Sequence, residues 1–599
     1  MRPPGRARFV WSYARAYPQK TIFGAVSAVS RDGVSFALPL LIREGVASLT
    51  HAPGPGYSLS ILHVGLAMAG VAILRAAFQT LARLNLMSMS REIEYRMRRD
   101  LLQHLFRLDA TFWARTRVGD VMALATNDLN AVRMMMGPGL SSLSESVISS
   151  SVALVVLASV DPKLTLTALW PAPVAFFILV RFGRIIRRRF EAIQAMFASM
   201  SAAVQQAVEG VRVVRAFVRE PAERRRFERM NQAYVEANRG LALYSSSMDP
   251  LLTFLTGISV LMVLAYGGHN VLRSRMGVAD FVMFTTYMAM LVRPISALGR
   301  VANVLERGAA SAGRLQTLFL ETSRLEPGAG SQGLARPVAT RPPAGVKGKK
   351  LGGSAVAFEK VSVRFDAAPV LDSIDLEVAE GATVALLGAT GSGKSTLVKL
   401  IPRLLDPTWG RVMINGTDCR DLSLMELRSW VGVVPQETFL FSASLAENIS
   451  VGAPQTSPEE IRRFAEIAGL APDLAALREG LDTVVGERGI MLSGGQRQRV
   501  SLARALVKNP RVLILDDALS SVDADTERCI LEHLKTIMTD RTTFLITHRV
   551  STAMHADQIV FLEGGRIVES GSHPRLLAQG GRYARLSRLQ ALEEALEAI

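Results

Sequence analysis

The run TVALLGATGSGKST at 383–396 restricts what this chain can fold into more than any other stretch. TVALL is apolar and β-rich and reads as a buried parallel strand, while TLVKLIPRLL after the motif reads as a helix. Between them stands a complete G-x-x-x-x-G-K-[ST] loop, Gly388 to Ser395. Its glycines let the backbone wrap so that successive N–H groups face one phosphate chain, and the following helix adds its positive dipole end. Gly388, Thr390, Gly391, Ser392, Gly393, Lys394, Ser395 and Thr396 are therefore expected to cradle a nucleoside triphosphate. Lys394 would reach the β- and γ-phosphates, and the Ser395 hydroxyl would ligate Mg²⁺.

The half of the chain before this loop has a different character. Apolar runs near 21–44, 57–82, 139–160, 163–184, 248–271 and 279–300 each approach the ~20 residues that a bilayer core requires, so six membrane spans are expected. Arg31 and Asp32 lie in the first, Arg75 in the second and Glu145 in the third. A charge facing lipid is expensive, so these should face the bundle interior or a wet cavity. Arg31 and Asp32 fit either a polar substrate path or a structural ion pair. The connections at 45–57 and 159–163 are short and nearly uncharged, whereas 91–133, 181–191 and 212–228 are long and rich in arginine. This positive-inside bias puts both termini and the long connections in the cytoplasm. Those arginines also account for much of the net charge of +16. Without a basic groove interleaved with aromatics, no nucleic-acid partner is expected.

Little turn punctuation occurs between Ser58 and Leu108, which predicts a second helix on the order of 70 Å long at ~1.5 Å per residue. Two short turns near 109–120 and 211–224 mix aromatic, basic and acidic residues and suit docking surfaces at the tips of such helices. The basic N-terminal stretch reads as an interfacial elbow helix and not as a cleaved signal. Cys419 and Cys529 are the only cysteines, so neither a disulfide framework nor a metal cluster is expected. Residues 324–353, rich in Gly, Pro, Ser and Lys, read as a flexible linker between a membrane domain at 1–323 and a nucleotide-binding domain at 354–599.

Within the second half, AVAFEKVSVRFD alternates as a strand and ends at Phe365, an aromatic that either stacks on adenine or packs in the core. RVLILDD sets Asp516 at the end of an apolar strand, the Walker B arrangement for holding Mg²⁺. Gln436 lies in VVPQETFLFSASLAENI, and the pentapeptide Leu492-Ser-Gly-Gly-Gln496 precedes Ser520-Ser-Val-Asp523 and His548.

Together, GATGSGKST, VVPQE, LSGGQRQRVSLARAL, VLILDDALSSVD and LITHR resemble the nucleotide-binding domain of an ATP-binding cassette (ABC) transporter. The six spans, GDVMALATNDLNAVR, GVRVVRAFVRE and Glu487-Arg488-Gly489 resemble its exporter branch, in which a membrane domain is fused to the cassette. The resemblance implies a six-span α-helical membrane domain followed by an α/β P-loop NTPase domain, with ATP and Mg²⁺ as cofactors. It implies that Phe365 stacks on adenine, that Gln436 links Mg²⁺ to the membrane domain, and that Ser395, Gln436 and Asp516 form the metal set. Ser493, Gly494, Gly495 and Gln496 would serve the nucleotide bound by an opposite subunit. Asp523 would lie across the dimer seam, and His548 would touch the γ-phosphate and the attacking water. Phosphate loop and signature come from different subunits, so a second half-transporter is implied.

One position departs from the family pattern. The usual glutamate after the Walker B aspartate is Asp517 here. Losing a methylene withdraws the carboxylate by about 1.5 Å. A general base must approach its proton to within ~2.6–3.2 Å, directly or through one water, and a misplacement near 1 Å can cost on the order of 10²-fold. Either this chain's own site is hydrolytically weak, or backbone adjustment rescues the short side chain. The expectation is an inner (plasma) membrane, multi-pass exporter half for an amphipathic drug-like or lipid substrate, in a heterodimer in which its signature completes the partner's site. Asp517, His548 and Gln436 are the catalytic candidates. The alternative is a homodimer with two slow sites; a regulatory or channel-like member and a soluble ATPase acting on nucleic acid fit less well.

Overall fold

A computed structural model describes residues 6–50, 57–323, 325, 354–365, 368–486, 492–522, 524–538 and 541–597. Nearly all of the expected linker, Glu487-Arg488-Gly489 and Asp523 lie outside the described residues. The chain divides into two compact units, one holding 6–105 and 119–320, the other holding 106–118 and the described residues from 321 onward.

The first unit is helical throughout. Among the described residues, five helical stretches are long and apolar enough to cross a membrane: Pro18–Leu49, Ile61–Leu105, Val118–Val160, Pro162–Glu209 and Glu220–Leu272. A shorter apolar part, Val278–Leu291, begins the helix Val278–Leu320. The second helix runs unbroken from Tyr57 to Leu105, 49 residues and ~73 Å at ~1.5 Å per residue, as its lack of turn residues predicts. The first stretch is interrupted between Ser35 and Ala37. Pro39 removes the N–H that would reach Ser35 and crowds that carbonyl. The Phe36 carbonyl at the break accepts the buried Tyr287 hydroxyl at 2.7 Å, so this polar group stays paired at membrane depth.

Arg31 and Asp32 are buried, 7% and 3% exposed, while Arg75 and Glu145 are exposed on the single chain. Arg31 Nε donates to Asp32 Oδ1 at 2.8 Å, and Arg31 Nη2 lies 3.5 Å from Glu145 Oε2. Farther along, one turn of π-helix at Leu124–Asp128 carries Asp128, which accepts two hydrogen bonds from Arg314 and one from Ser311. That cluster ties the third helical stretch to the last. The two expected tips form short helices, Ala110–Arg115, capped by Asp109, and Val211–Ala216.

The second unit is an α/β cassette. Its strands, in chain order, are β1 (Ser354–Phe365), β2 (Ala368–Ala379), β3 (Thr383–Gly388), β4 (Trp409–Ile414), β5 (Thr417–Asp418) and β6 (Val431–Val434). They continue with β7 (Ala443–Ser444), β8 (Val484–Val485), β9 (Val512–Asp516), β10 (Thr542–Ile546), β11 (Gln558–Glu563) and β12 (Arg566–Gly571). A four-stranded antiparallel sheet has the order β2-β1-β4-β5, and a six-stranded sheet the order β12-β11-β3-β10-β9-β6. In the larger sheet all neighbours are parallel except the β11–β12 pair. β9 and β10 are buried along their whole length, which is why their sequences are continuous apolar runs without alternation. In register, Ile546 stands beside both Leu386 and Asp516, and Val434 beside Leu515. The carboxyl ends of β3, β10, β9 and β6 therefore form one row, and Gly388, His548, Asp516 and Gln436 lie at or within two residues of those ends.

Candidate nucleotide site

Two glycines shape the phosphate loop. Gly388 has φ +143° and Gly393 φ +100°, which disfavour any side chain. Space forbids one as well: a Cβ at Gly388 would fall 2.1 Å from the Leu562 carbonyl oxygen, and at Gly393 2.9 Å from that of Val370. The loop leads into a helix at Lys394–Leu400. Lys394 is buried and donates through Nζ to the carbonyls of Gly388 at 2.8 Å and Ala389 at 2.9 Å. The Ser395 hydroxyl donates to Asp516 Oδ1 at 3.0 Å.

Burial pulls the Lys394 ammonium below its ordinary range, against the pull of Asp516 and Asp517. Burial also pushes the Asp516 carboxyl up, opposed by the Ser395 hydrogen bond and nearby lysines. Burial thus disfavours the charged form of both groups, a penalty that a bound phosphate and divalent cation would offset. A hydroxyl beside a carboxylate is moreover the hard-oxygen donor set that Mg²⁺ prefers. The residues present fit both ATP and the ion.

Asp517 adopts a left-handed backbone, φ +52°, that aspartate accepts more readily than most residues. Its backbone is tied on both sides. The N–H donates to the Ile546 carbonyl at 3.0 Å, while its own carbonyl accepts from Gln498 Nε2 at 3.3 Å and the Ser520 hydroxyl at 3.0 Å. His548 and Gln436 are exposed. Phe365 is 44% exposed at the end of β1, so it is no core phenylalanine.

The signature lies at the start of a helix, Gly494–Val507. Ser493 caps it: its hydroxyl accepts the Gln496 N–H at 3.2 Å, and its N–H donates to Gln496 Oε1 at 2.8 Å. Gln496 Nε2 in turn donates to Asp473 at 2.8 Å, so both ends of that amide are engaged inside the chain. A Cβ at Gly495 would sit 2.7 Å from the Ser521 carbonyl oxygen. The signature helix packs against β6 and the helices Leu445–Ser450 and Pro458–Ile467, whereas the phosphate-loop helix packs against β2, β3 and β10. β3 and β6 are three strand positions apart, ~14 Å at ~4.8 Å per step. A γ-phosphate contact spans ~3 Å.

Three positioning residues escape sequence reasoning, although two of them, Gln498 and Arg504, lie inside the run LSGGQRQRVSLARAL. Gln498 is buried and joins the signature helix to the loop after β9, donating to the Asp517 carbonyl and the Ser520 hydroxyl and accepting the Ser521 N–H. Asp473 anchors Gln496 and pairs with Arg499 at 3.0 Å. Arg504 reaches from the same helix to the carbonyls of Phe439 and Asn448, pinning the segment that follows Gln436.

Residues 21–295 match the family described as the ABC transporter transmembrane region, and residues 371–520 the family described as ABC transporter. The chain is 36% identical over 505 residues to a probable multidrug resistance ABC transporter ATP-binding/permease protein, YheI of Bacillus subtilis (strain 168), covering 84% of this chain and 83% of that one. It is 35% identical over 502 residues to an ATP-dependent lipid A-core flippase of Syntrophus aciditrophicus (strain SB), covering 83% and 80%. Among solved structures, a bacterial Atm1-family ABC exporter with ATP bound aligns at a TM-score of 0.77 and 25% identity, covering 96% of this chain and 98% of that one.

Proposed function

This chain belongs to the exporter-type ABC transporters, with a membrane region fused to an ATPase cassette, and from that premise we propose that it is one half of a heterodimeric exporter whose own ATP site hydrolyses slowly. Half-transporters of this family work as dimers. The separation of signature and phosphate loop within one cassette gives the physical reason, since neither end alone encloses a γ-phosphate.

The observation that carries the slow-site reading is the pinned backbone of Asp517. Recovering a missing methylene through backbone movement would break the bonds to Ile546, Gln498 and Ser520. A short, fixed carboxylate cannot close the distance to an attacking water that a glutamate would cover. Lys394 and the backbone N–H groups after Gly388 hold the phosphates, Phe365 stacks on the base, and His548 senses the γ-phosphate. When bound, Mg²⁺ would neutralise charge on the β- and γ-oxygens, held by Ser395, Asp516 and Gln436. Ser493, Gly494 and Gly495 serve the partner's nucleotide, with Asp523 at the seam. Gln496 serves that contact by holding the signature turn.

In this reading both termini and the cassette face the cytoplasm of an inner membrane, with the domain boundaries at 323 and 354. Closure of two cassettes on ATP moves the tips near 109–120 and 211–224 and turns the cavity outward. Val213, Phe217 and Val218 at the second tip are 61%, 72% and 75% exposed, apolar surface suited to docking. The substrate class is an amphipathic drug-like molecule or lipid, by analogy with the relatives.

The test is transport by proteoliposomes holding the chain alone or together with a half-transporter that has glutamate after its Walker B aspartate. ATP-dependent movement of an amphipathic dye or a headgroup-labelled lipid is expected only with the partner. Full transport and hydrolysis by the chain alone would instead favour the homodimer, which the retained His548 supports.

A further inference from the structure

The loop that carries His548 is bracketed by one side chain from the far end of the chain. Gln590 lies in the terminal helix Arg582–Glu597; its amide Nε2 donates to the His548 carbonyl at 2.6 Å and its Oε1 accepts the Val550 N–H at 2.7 Å. The amide thus holds the backbone on either side of Arg549, as a neighbouring strand would. The enclosed residue is anchored separately. Arg549 pairs with the buried Glu527, whose other oxygen accepts the Thr552 hydroxyl at 2.7 Å.

The helix that presents Gln590 is itself fixed. Tyr583 is fully buried among Val550, Ala553 and Leu576, and its hydroxyl lies 2.6 Å from His573 Nδ1. The Glu569 carboxylate accepts the N–H groups of Arg582 and Tyr583 at the helix start, where negative charge is favoured. The His548 side chain, by contrast, is exposed, and its placement depends on the backbone that carries it. A leucine at 590 would satisfy helix propensity and packing, but not two backbone groups of this loop.

We propose that Gln590 is a positioning residue that holds His548 toward the γ-phosphate of this chain's own site. The inference rests on the role given to His548 above. The test is single-turnover hydrolysis of radiolabelled Mg·ATP in lipid nanodiscs by the chain assembled with a half-transporter partner whose own phosphate-loop lysine is replaced by alanine, so that only this chain's site is read, with protein in excess. Gln590→Ala should slow phosphate release about tenfold, a fraction of the ~10²–10⁴ that a positioned proton-handling group supplies, with ATP affinity within about twofold. In a His548→Ala background the same substitution should cost nothing further.

Gln590→Glu separates positioning from folding. An ionised carboxylate still accepts the Val550 N–H but offers no donor to the His548 carbonyl; protonation restores the donor. With an ordinary pKa of about 4.3 this carboxylate stays ionised near neutral pH, so the variant should lose rate much as Gln590→Ala does while keeping the bond to Val550. An undiminished rate for Gln590→Glu would overturn the proposal, and this variant carries the test if Gln590→Ala does not fold. An equal loss from Gln590→Ala in both backgrounds, or none in either, would also overturn it. If His548→Ala alone leaves hydrolysis unchanged, the role of His548 fails and the proposal with it. If His548→Ala slows hydrolysis and Gln590→Ala does not, the bracket alone is wrong.

Discussion

At the phosphate-loop end of the cassette the polar groups are buried and answer one another: Lys394 on two carbonyls, Ser395 on Asp516. At the signature end Ser493 is exposed, and its hydroxyl only caps its own helix. In the function proposed above, the first grips triphosphate with residues of this chain alone. In the same proposal the second serves a phosphate that another chain brings. In the proposed pair, gripping this chain's nucleotide and completing a partner's site belong to different surfaces, and a subunit can keep both while its own Asp517 hydrolyses slowly.

The sharpest way to break this division is Gly495→Asp. A Cβ there meets the Ser521 carbonyl at 2.7 Å, and the added carboxylate would face a phosphate. Turnover at the partner's site should fall on the order of 10²-fold, with ATP affinity at this chain's loop unchanged, as measured by phosphate release and equilibrium binding. Lys394→Ala is the converse. Losing a charged hydrogen bond of ~1.5–3 kcal/mol should weaken ATP binding at this chain's loop about 10- to 100-fold while the signature still completes the partner's site.

Gln498→Leu cuts a tie between the two ends. It strands the Ser521 N–H and should cost about 1–3 kcal/mol of stability, read by denaturant or thermal melting. The smallest effect is chemical. Cys419 is buried in the core cluster that includes Leu397 and Leu400 of the phosphate-loop helix, and burial pushes its thiol up to about 12. Cys529 lies exposed on the helix Ala524–Met538. Near neutral pH a maleimide should modify Cys529 and spare Cys419 until the chain is denatured, as read by peptide mass.

What could be read from residues alone follows from how local the signal is. The phosphate loop is contiguous, and its glycine and lysine positions have mechanical reasons. The spans show as apolar length, and the long second helix shows in the lack of turn residues before Asp109. The break after Ser35 was visible only through Pro39, which the apolar run around it obscures. Gln498 and Arg504 sit inside the quoted run LSGGQRQRVSLARAL, but what they hold, like what Gln590 holds, was not legible, because their partners lie about 20 to 60 positions away. Asp517 falls between these cases. Its identity is plain in the sequence, but its left-handed backbone and the bonds that pin it exist only in the fold.

The most direct test is the rate of γ-phosphate cleavage for ATP bound at this chain's own phosphate loop in the assembled dimer, for the unaltered chain and for Asp517→Glu. The longer side chain should speed cleavage by roughly tenfold or more, even though glutamate tolerates the left-handed position less well. Equal rates in the two would mean that the aspartate already reaches the water, and that this site is not the silent half of the pair.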